Sequence, residues 1–256
     1  MDIDNSFLYK FSNANPPAIY RKTIADKRWD AVSEGLDSVA PKNFPLKNWN
    51  SDDAKAMVYR TSMIESMPNE MTTKQKGGGP ALGHTQIEPA TYIDMWRYLN
   101  NNANAKTPNG KAIKELRDNI LTAHSPALTD KQRAQWKTEQ DEVISKLSPE
   151  KQKILQNFMS NSKNPQPYVP YQQLQSDPEL AAVMSRVKYL MRPGAIPSKD
   201  NPNAQFNYWK DQYNTNKNID RRAKKRDWDQ RRKSLLEIGD PHAFNNNPIN
   251  QNIANV

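Results

Sequence analysis

The chain has 256 residues, 36% of them apolar, a net charge of +9 and no cysteine. That length holds one large domain or two small ones, and the low apolar content predicts a compact core with long polar loops. Disulfides and thiol catalysis are excluded, no apolar run approaches the roughly 20 residues that span a bilayer, and the positive balance favours an acidic partner: nucleic acid, anionic lipid or anionic cell-wall glycan.

The opening Met-Asp-Ile-Asp-Asn has neither the basic n-region nor the apolar h-region of a secretory signal, so delivery outside the cytoplasm is expected to use another route. Residues 1–50 carry Pro16-Pro17, Pro41 and Pro45 among scattered aromatics, which predicts an extended N-terminal arm with one short helix near 24–37. Ser51, Asp52 and Asp53 form a helix start, a capping hydroxyl followed by acids at the positive end of the dipole. The helix runs through "AKAMVYRTSMIES" and stops before Pro68. Met57 and Ile64, seven apart, mark its buried face, with Ala56, Tyr59, Met63 and Met67. A polar, glycine-rich loop covers 68–83. "EPATYIDMWRYL" then reads as a helix with Pro89 in its first turn.

Beyond the polar turn "NNNANAKTPNG", helices are predicted at 111–123, 130–146, 149–160, 178–191 and 203–213. Ser148-Pro149 and Asp177-Pro178 supply N-cap plus first-position proline. The last helix, about 219–236, is basic: residues 217–233 hold nine of the 37 lysines and arginines. Two readings stand for it, a solvated helix face or a dedicated anion-binding arm outside the core. The tail 240–256 is rich in Asn and Pro and is expected to lack independent structure. With no period-two strand and no internal repeat, the fold class is mainly α.

Only eight glycines occur, yet Gly77, Gly78, Gly79 and Gly83 fall within seven residues. A loop that presses its backbone against a bulky substrate uses glycine, because a Cβ blocks the approach. Ahead of that loop, Glu65 ends its helix amid Met63, Ile64 and Met67. The negative end of the dipole and the apolar neighbours both favour the protonated form, as a general acid needs. Taken alone, Glu65 also fits an ordinary solvated glutamate. Gln86 follows Gly83 at the mouth of the next helix, where an amide can bond substrate or orient the acid. His84, His124 and His242 are scattered without metal-ligand spacing, and Gly77-Gly78-Gly79 lacks the Lys-Ser/Thr and strand of a P-loop. The tryptophans read mostly as core. Trp209 stands out, being close to Tyr213-Asn214.

The order helix, Glu65-Ser66, Gly83-His84-Thr85-Gln86, Pro89-Ala90-Thr91 resembles the lytic transglycosylase and goose-type lysozyme superfamily, whose pattern is Glu-Ser, Gly-Leu-Met-Gln, Pro-x-Thr. "GPALG..Q.EPAT" is similar to lysozyme-like proteins of bacteriophages. "DPELAAVMSRVKYLMRPGAIP" resembles the third motif, ending in Tyr189-Leu190, and "YWKDQYNT" the fourth, with Tyr213-Asn214. The resemblance spans about 51–215. It implies a lysozyme-like helical domain there, flanked by the arm 1–50 and a basic helix and tail over 216–256.

By the same resemblance Glu65 is the single catalytic acid/base, and Ser66, Gly83, Gln86, Glu88, Tyr189, Tyr213 and Asn214 line the substrate cleft. The implied reaction cleaves the β-1,4 bond between N-acetylmuramic acid and N-acetylglucosamine in peptidoglycan glycan strands, without cofactor or metal. Glu65 protonates the leaving oxygen; then either the muramyl 6-hydroxyl closes a 1,6-anhydro ring or water attacks. No second carboxylate is required. Departures from the pattern are His84-Thr85 in place of Leu-Met and Thr215 in place of a glycine. Glu88 adds a carboxylate that serves either water attack or helix capping. The leading expectation is a phage virion-associated enzyme, oligomeric with other virion proteins and reaching the host periplasm and envelope after delivery. The alternatives are an inactive structural virion protein of the same fold, and a protein that binds DNA or another polyanion through 217–233.

Overall fold

Two helices that are buried on nearly every side form the centre of the molecule. In the computed structural model these are α2 (Asp52–Ser66) and α7 (Pro178–Leu190). In α7 every residue from Leu180 to Val187 is buried, and in α2 every residue from Ala56 to Ile64 is buried. Such a helix is stable only inside a shell of others. The shell comprises α1 (Ala18–Ser38), α3 (Pro89–Asn102), α4 (Pro108–His124), the short α6 (Gln173–Ser176) and a π-helical turn (Trp209–Tyr213) that continues α8 (Pro202–Tyr208), all packed on α7. α5 (Asp130–Ser145) lies at the edge, where Ile144 alone is buried among its described side chains. α9 (Arg221–Glu237) packs on α1 and α2. The residues described are 18–43, 46, 48–66, 75, 79–103, 106–125, 129–145, 148–150, 152–153, 156, 168–214, 220–240 and 242. Among them the chain is mainly α, with one isolated bridge between Leu82 and Ile87 as its extended pairing.

The starts of these helices follow local chemistry. Asp177 accepts the Leu180 N–H at 2.8 Å ahead of Pro178, Asn201 accepts the Ala204 N–H at 3.0 Å ahead of Pro202, and Thr107 accepts the Gly110 N–H at 3.0 Å ahead of Pro108. Each pairs a capping side chain with a proline whose missing N–H has no partner to lose. Ser51 caps α2 through the Ala54 N–H. Of the expected helix at 149–160, residues 149, 150, 152, 153 and 156 are helical and the remainder lies outside the described residues.

Two expectations about the ends are corrected. The supposed arm contains a helix of 21 residues, longer than the predicted 24–37, and α1 is the main partner of α7. Gly35 permits this contact: a Cβ there would stand 3.0 Å from the Glu179 carbonyl oxygen. Trp49 is sealed beneath α1, its Nε1 donating to the Leu36 carbonyl at 2.9 Å. Residues 1–17 lie outside the described residues. The basic helix is likewise part of the core: Trp228 and Leu235 are buried, with Trp228 5.7 Å from Trp209 and 5.6 Å from Phe206 between ring centroids. From the tail, Asp240 accepts a hydrogen bond from the Tyr59 hydroxyl and His242 stacks on Trp29 at 3.5 Å. Residues 243–256 lie outside the described residues.

Candidate active site

Glu65 sits in the last turn of α2, half-buried, and accepts a hydrogen bond from Trp209 Nε1 at 3.2 Å. Trp209 belongs to the π-helical turn that also carries Tyr213 and ends at Asn214. One turn before Glu65, the Thr61 hydroxyl meets the Tyr189 hydroxyl at 2.6 Å. Tyr189 lies 5.3 Å from Tyr213 between ring centroids, and the Tyr213 hydroxyl donates to the Thr85 carbonyl at 2.8 Å. The fold therefore brings Glu65, Tyr189, Tyr213 and the 83–87 turn together from four separate stretches of chain.

Burial pushes the Glu65 pKa upward, while Lys188, Lys224, the Trp209 hydrogen bond and Arg231 oppose the rise. The upward direction wins. Lys188 rests its ammonium over the Tyr213 ring, 3.6 Å from the centroid, and burial lowers its own pKa against the pull of Glu65. A carboxyl whose pKa is raised by burial has the chemistry of a general acid. Arg231 is fixed by donating to the Met63 carbonyl at 2.9 Å.

The residues expected to line a cleft divide into two sets. Ser66, Gly83, Tyr189 and Tyr213 are buried and occupied by protein partners. The Ser66 hydroxyl lies 2.7 Å from the His84 carbonyl and receives a bond from the Arg28 guanidinium at 2.8 Å. Gly83 has φ of +74°, and a Cβ there would stand 2.8 Å from the Leu174 carbonyl oxygen and 3.0 Å from the Ala181 Cβ. Its glycine requirement is met by α6 and α7, so the expected role in close approach to substrate is corrected to packing. His84 and Thr85, which stand in place of the pattern's Leu-Met, also turn inward. His84 Nε2 meets the Pro178 carbonyl at 2.8 Å and Thr85 donates to the Ala181 carbonyl at 3.1 Å. Burial lowers the His84 pKa to about 3, with Arg28 adding to the effect, so the ring is neutral.

The second set reaches solvent. Gln86 and Asn214 are half-exposed and Glu88 is exposed. Gln86 adopts φ of +50°, a region that costs a non-glycine residue energy and marks a constrained site. Its backbone N–H and its side-chain Nε2 both donate to the Gly83 carbonyl, at 3.1 and 2.9 Å. Tyr171, donating to the Ile87 carbonyl at 2.8 Å, holds the same turn from the other side. Glu88 occupies the N-cap position of α3 but makes no side-chain cap bond, which corrects the capping alternative. Residues 67–74 and 76–78, including Gly77 and Gly78, lie outside the described residues, and the expected wall formed by loop 68–83 lies largely there.

Trp209, Lys188, Lys224 and Arg231 complete the surroundings of Glu65, and the motifs did not assign them. Trp209 had a spacing signal: it precedes Tyr213 by four residues, which places both on one face of a helix. Lys188 stands next to Tyr189 in α7, whereas Lys224 and Arg231 had no such signal, since α9 reaches Glu65 only through folding. Much of the basic charge of α9 is also used within the protein. Arg221 pairs with Asp211 at 2.7 Å, Lys225 with Asp229, and Arg231 with the Met63 carbonyl. Among the described residues no cluster of His, Asp and Glu has the makings of a metal site, and no helix is long and apolar enough to cross a membrane. No protein-family model matches the chain, and neither does any curated protein or solved structure.

Proposed function

We propose that this chain is a peptidoglycan-cleaving enzyme of lysozyme or lytic-transglycosylase type, with Glu65 as its single acid/base, carried in a phage virion. The observation that supports this reading best is the setting of Glu65. It is a half-buried carboxyl of raised pKa, held by Trp209 and flanked by Tyr189, Tyr213 and the strained Gln86 turn. Four sequence motifs that are far apart along the chain meet around one carboxyl. In the reaction Glu65 protonates the glycosidic oxygen, and the departing bond is replaced by water or by the muramyl 6-hydroxyl. Gln86, Glu88 and Asn214, the solvent-facing members, are the side chains offered to the glycan strand. Tyr189 and Tyr213 position the acid and the turn.

The test is digestion of purified peptidoglycan by the full chain, with mass spectrometry of the released muropeptides. Cleavage should appear with the unmodified protein and fall roughly 10²–10⁴-fold in Glu65→Gln, because an amide neither gives nor takes the proton. Product masses separate hydrated from 1,6-anhydro ends. Full activity in Glu65→Gln rules out this mechanism.

A second reading has a specific observation behind it. Lys188, Lys224 and Arg231 all act on Glu65 in the direction that favours its ionised form. A carboxylate stabilised in this way is a structural anchor for α9, as in a virion protein that retains the fold without the activity. No cleavage by the unmodified protein, with the fold intact by circular dichroism, selects it.

A further inference from the structure

A polar cavity of about 130 Å³ opens beside Tyr189. Glu65 is not among the residues lining it. Its walls come from the start of α2 (Asn48, Ser51, Asp53), the end of α7 (Arg186) and the loop and helix that follow (Arg192, Tyr208). The Tyr189 ring stacks on Tyr208 at 5.5 Å and an interplanar angle of 25°, and separates the cavity from the acid.

Three polar groups of this cavity offer binding capacity to an anion. Arg186 is 4% exposed and donates Nε to the Trp49 carbonyl at 2.9 Å and Nη2 to the Asn48 carbonyl at 3.0 Å, yet no carboxylate lies in ion-pair range among the described residues. A buried guanidinium without a counter-charge is costly. Tyr208 has a buried phenolic oxygen with no hydrogen-bond partner. Arg192 is exposed on the rim and its guanidinium has no protein partner among the described residues. Arg186 and Arg192 both act on the Tyr208 hydroxyl, which places the phenol within the field of the two cations. Asn48 is held at φ of +59°, a strained setting that presents its carbonyl to Arg186.

We infer that this cavity is a binding site for a small carboxylate, taken by Arg186 and Arg192 with a hydrogen bond from the Tyr208 hydroxyl. Guanidinium matches the planar two-oxygen geometry of a carboxylate. Charge balance selects a monoanion: two arginines and one acid, Asp53, line the walls. The Asp53 Oδ1 already accepts the Lys199 N–H at 2.7 Å, which keeps that carboxylate anchored to its own loop. The volume equals that of about four liquid waters, enough for a carboxylate with a short stem. Free carboxylic acids and the carboxyl end of a short peptide share this chemistry.

The test titrates the full chain with acetate, glycylglycine and phosphate at constant ionic strength, following arginine side-chain resonances by NMR and the melting temperature. Acetate should shift the Arg192 and Arg186 signals saturably and raise the melting temperature, as a ligand of the folded state does. Glycylglycine binding more tightly than acetate assigns the peptide end as the source; acetate at least as tight assigns the free acid. Tyr208→Phe should weaken acetate binding about tenfold or more, the value of one hydrogen bond to a charged acceptor, and Arg192→Ala about tenfold or more. Tyr208→Phe should also leave the ligand-free protein no less stable, because it removes an unpartnered hydroxyl. Phosphate binding in preference to acetate overturns the carboxylate assignment. No saturable shift with either anion, or shifts unchanged in both variants, overturns the site.

Discussion

Ser66-Gly83-His84-Thr85 and Glu65-Gln86 come from the same two motifs and face opposite ways; Glu88 and Asn214 join the second group. The first group is buried, with its hydroxyls, ring nitrogen and glycine face committed to the carbonyls of His84, Pro178, Ala181 and Leu174. The second is half-buried or exposed and is strained at Gln86. A motif recognised by residue type therefore contains two kinds of constraint. One fixes how the 83–87 turn seats on α7, and the other presents the groups that meet solvent. Replacing an apolar pair by His84-Thr85 leaves the second group untouched, because the change falls on the packed side.

The largest expected effect tests whether α9 belongs with the packed side. Trp228→Ala should cost about 3–5 kcal/mol in chemical denaturation, as for a large core aromatic. Removing residues 217–256 should abolish cooperative melting. A truncated chain that melts sharply would return α9 to the role of a detachable arm. Next, Gly83→Val should destabilise by about 3 kcal/mol or more. A β-branched residue is strained at positive φ, and its Cβ meets the Leu174 carbonyl. A fully stable Gly83→Val protein that fails only in glycan binding would move Gly83 to the solvent-facing group.

A smaller effect is pH-dependent. The folded-state pKa of His84 is about 3 against an unfolded value of 6.5, so the unfolded chain binds the extra proton between these values. Stability is therefore full above pH 6.5 and falls by up to about 1.4 kcal/mol per pH unit on acidification below it. His84→Gln should flatten this slope in melting curves between pH 7 and 5; an unchanged slope would place its origin elsewhere. The smallest effect concerns the stability of Glu65→Gln. Because the Glu65 pKa is raised on folding, its ionisation opposes folding as pH rises above the ordinary glutamate range. Glu65→Gln should raise stability at pH 7 by no more than about 1 kcal/mol and by less at acidic pH. A clear loss at pH 7 would favour the reading of Glu65 as an anchor for the cations of α9.

Some helix starts were legible because they are local. Ser51 and Asp177 were read as caps and lie within three residues of the N–H groups they bond. Thr107 and Asn201 cap in the same way but were not singled out, and Pro108-Asn109-Gly110, read as a turn, is the first turn of α4 because Thr107 caps it. The apolar face of α2 announced a buried helix, α7 was read as a helix from Asp177-Pro178 without its burial, and the mainly α class followed. Glu65 was singled out by its own neighbours. Partners far along the chain were not legible: Trp209 on Glu65 is a contact across 144 residues, and Tyr213 on Thr85 across 128. Charge density also misled at 217–233, since a helix with eight or more cations can still bury one tryptophan face. The sequence by itself determined the mainly α class, the starts at Ser51 and Asp177, and which carboxyl is unusual, because capping, periodicity and dipoles act within a turn or two. Only the tertiary structure decided that Gly83 and Ser66 serve packing, that α1 and α9 belong to the core, and that no carboxylate among the described residues pairs with Arg186. Each depends on which distant surface arrives opposite, and burial is a property of the pair.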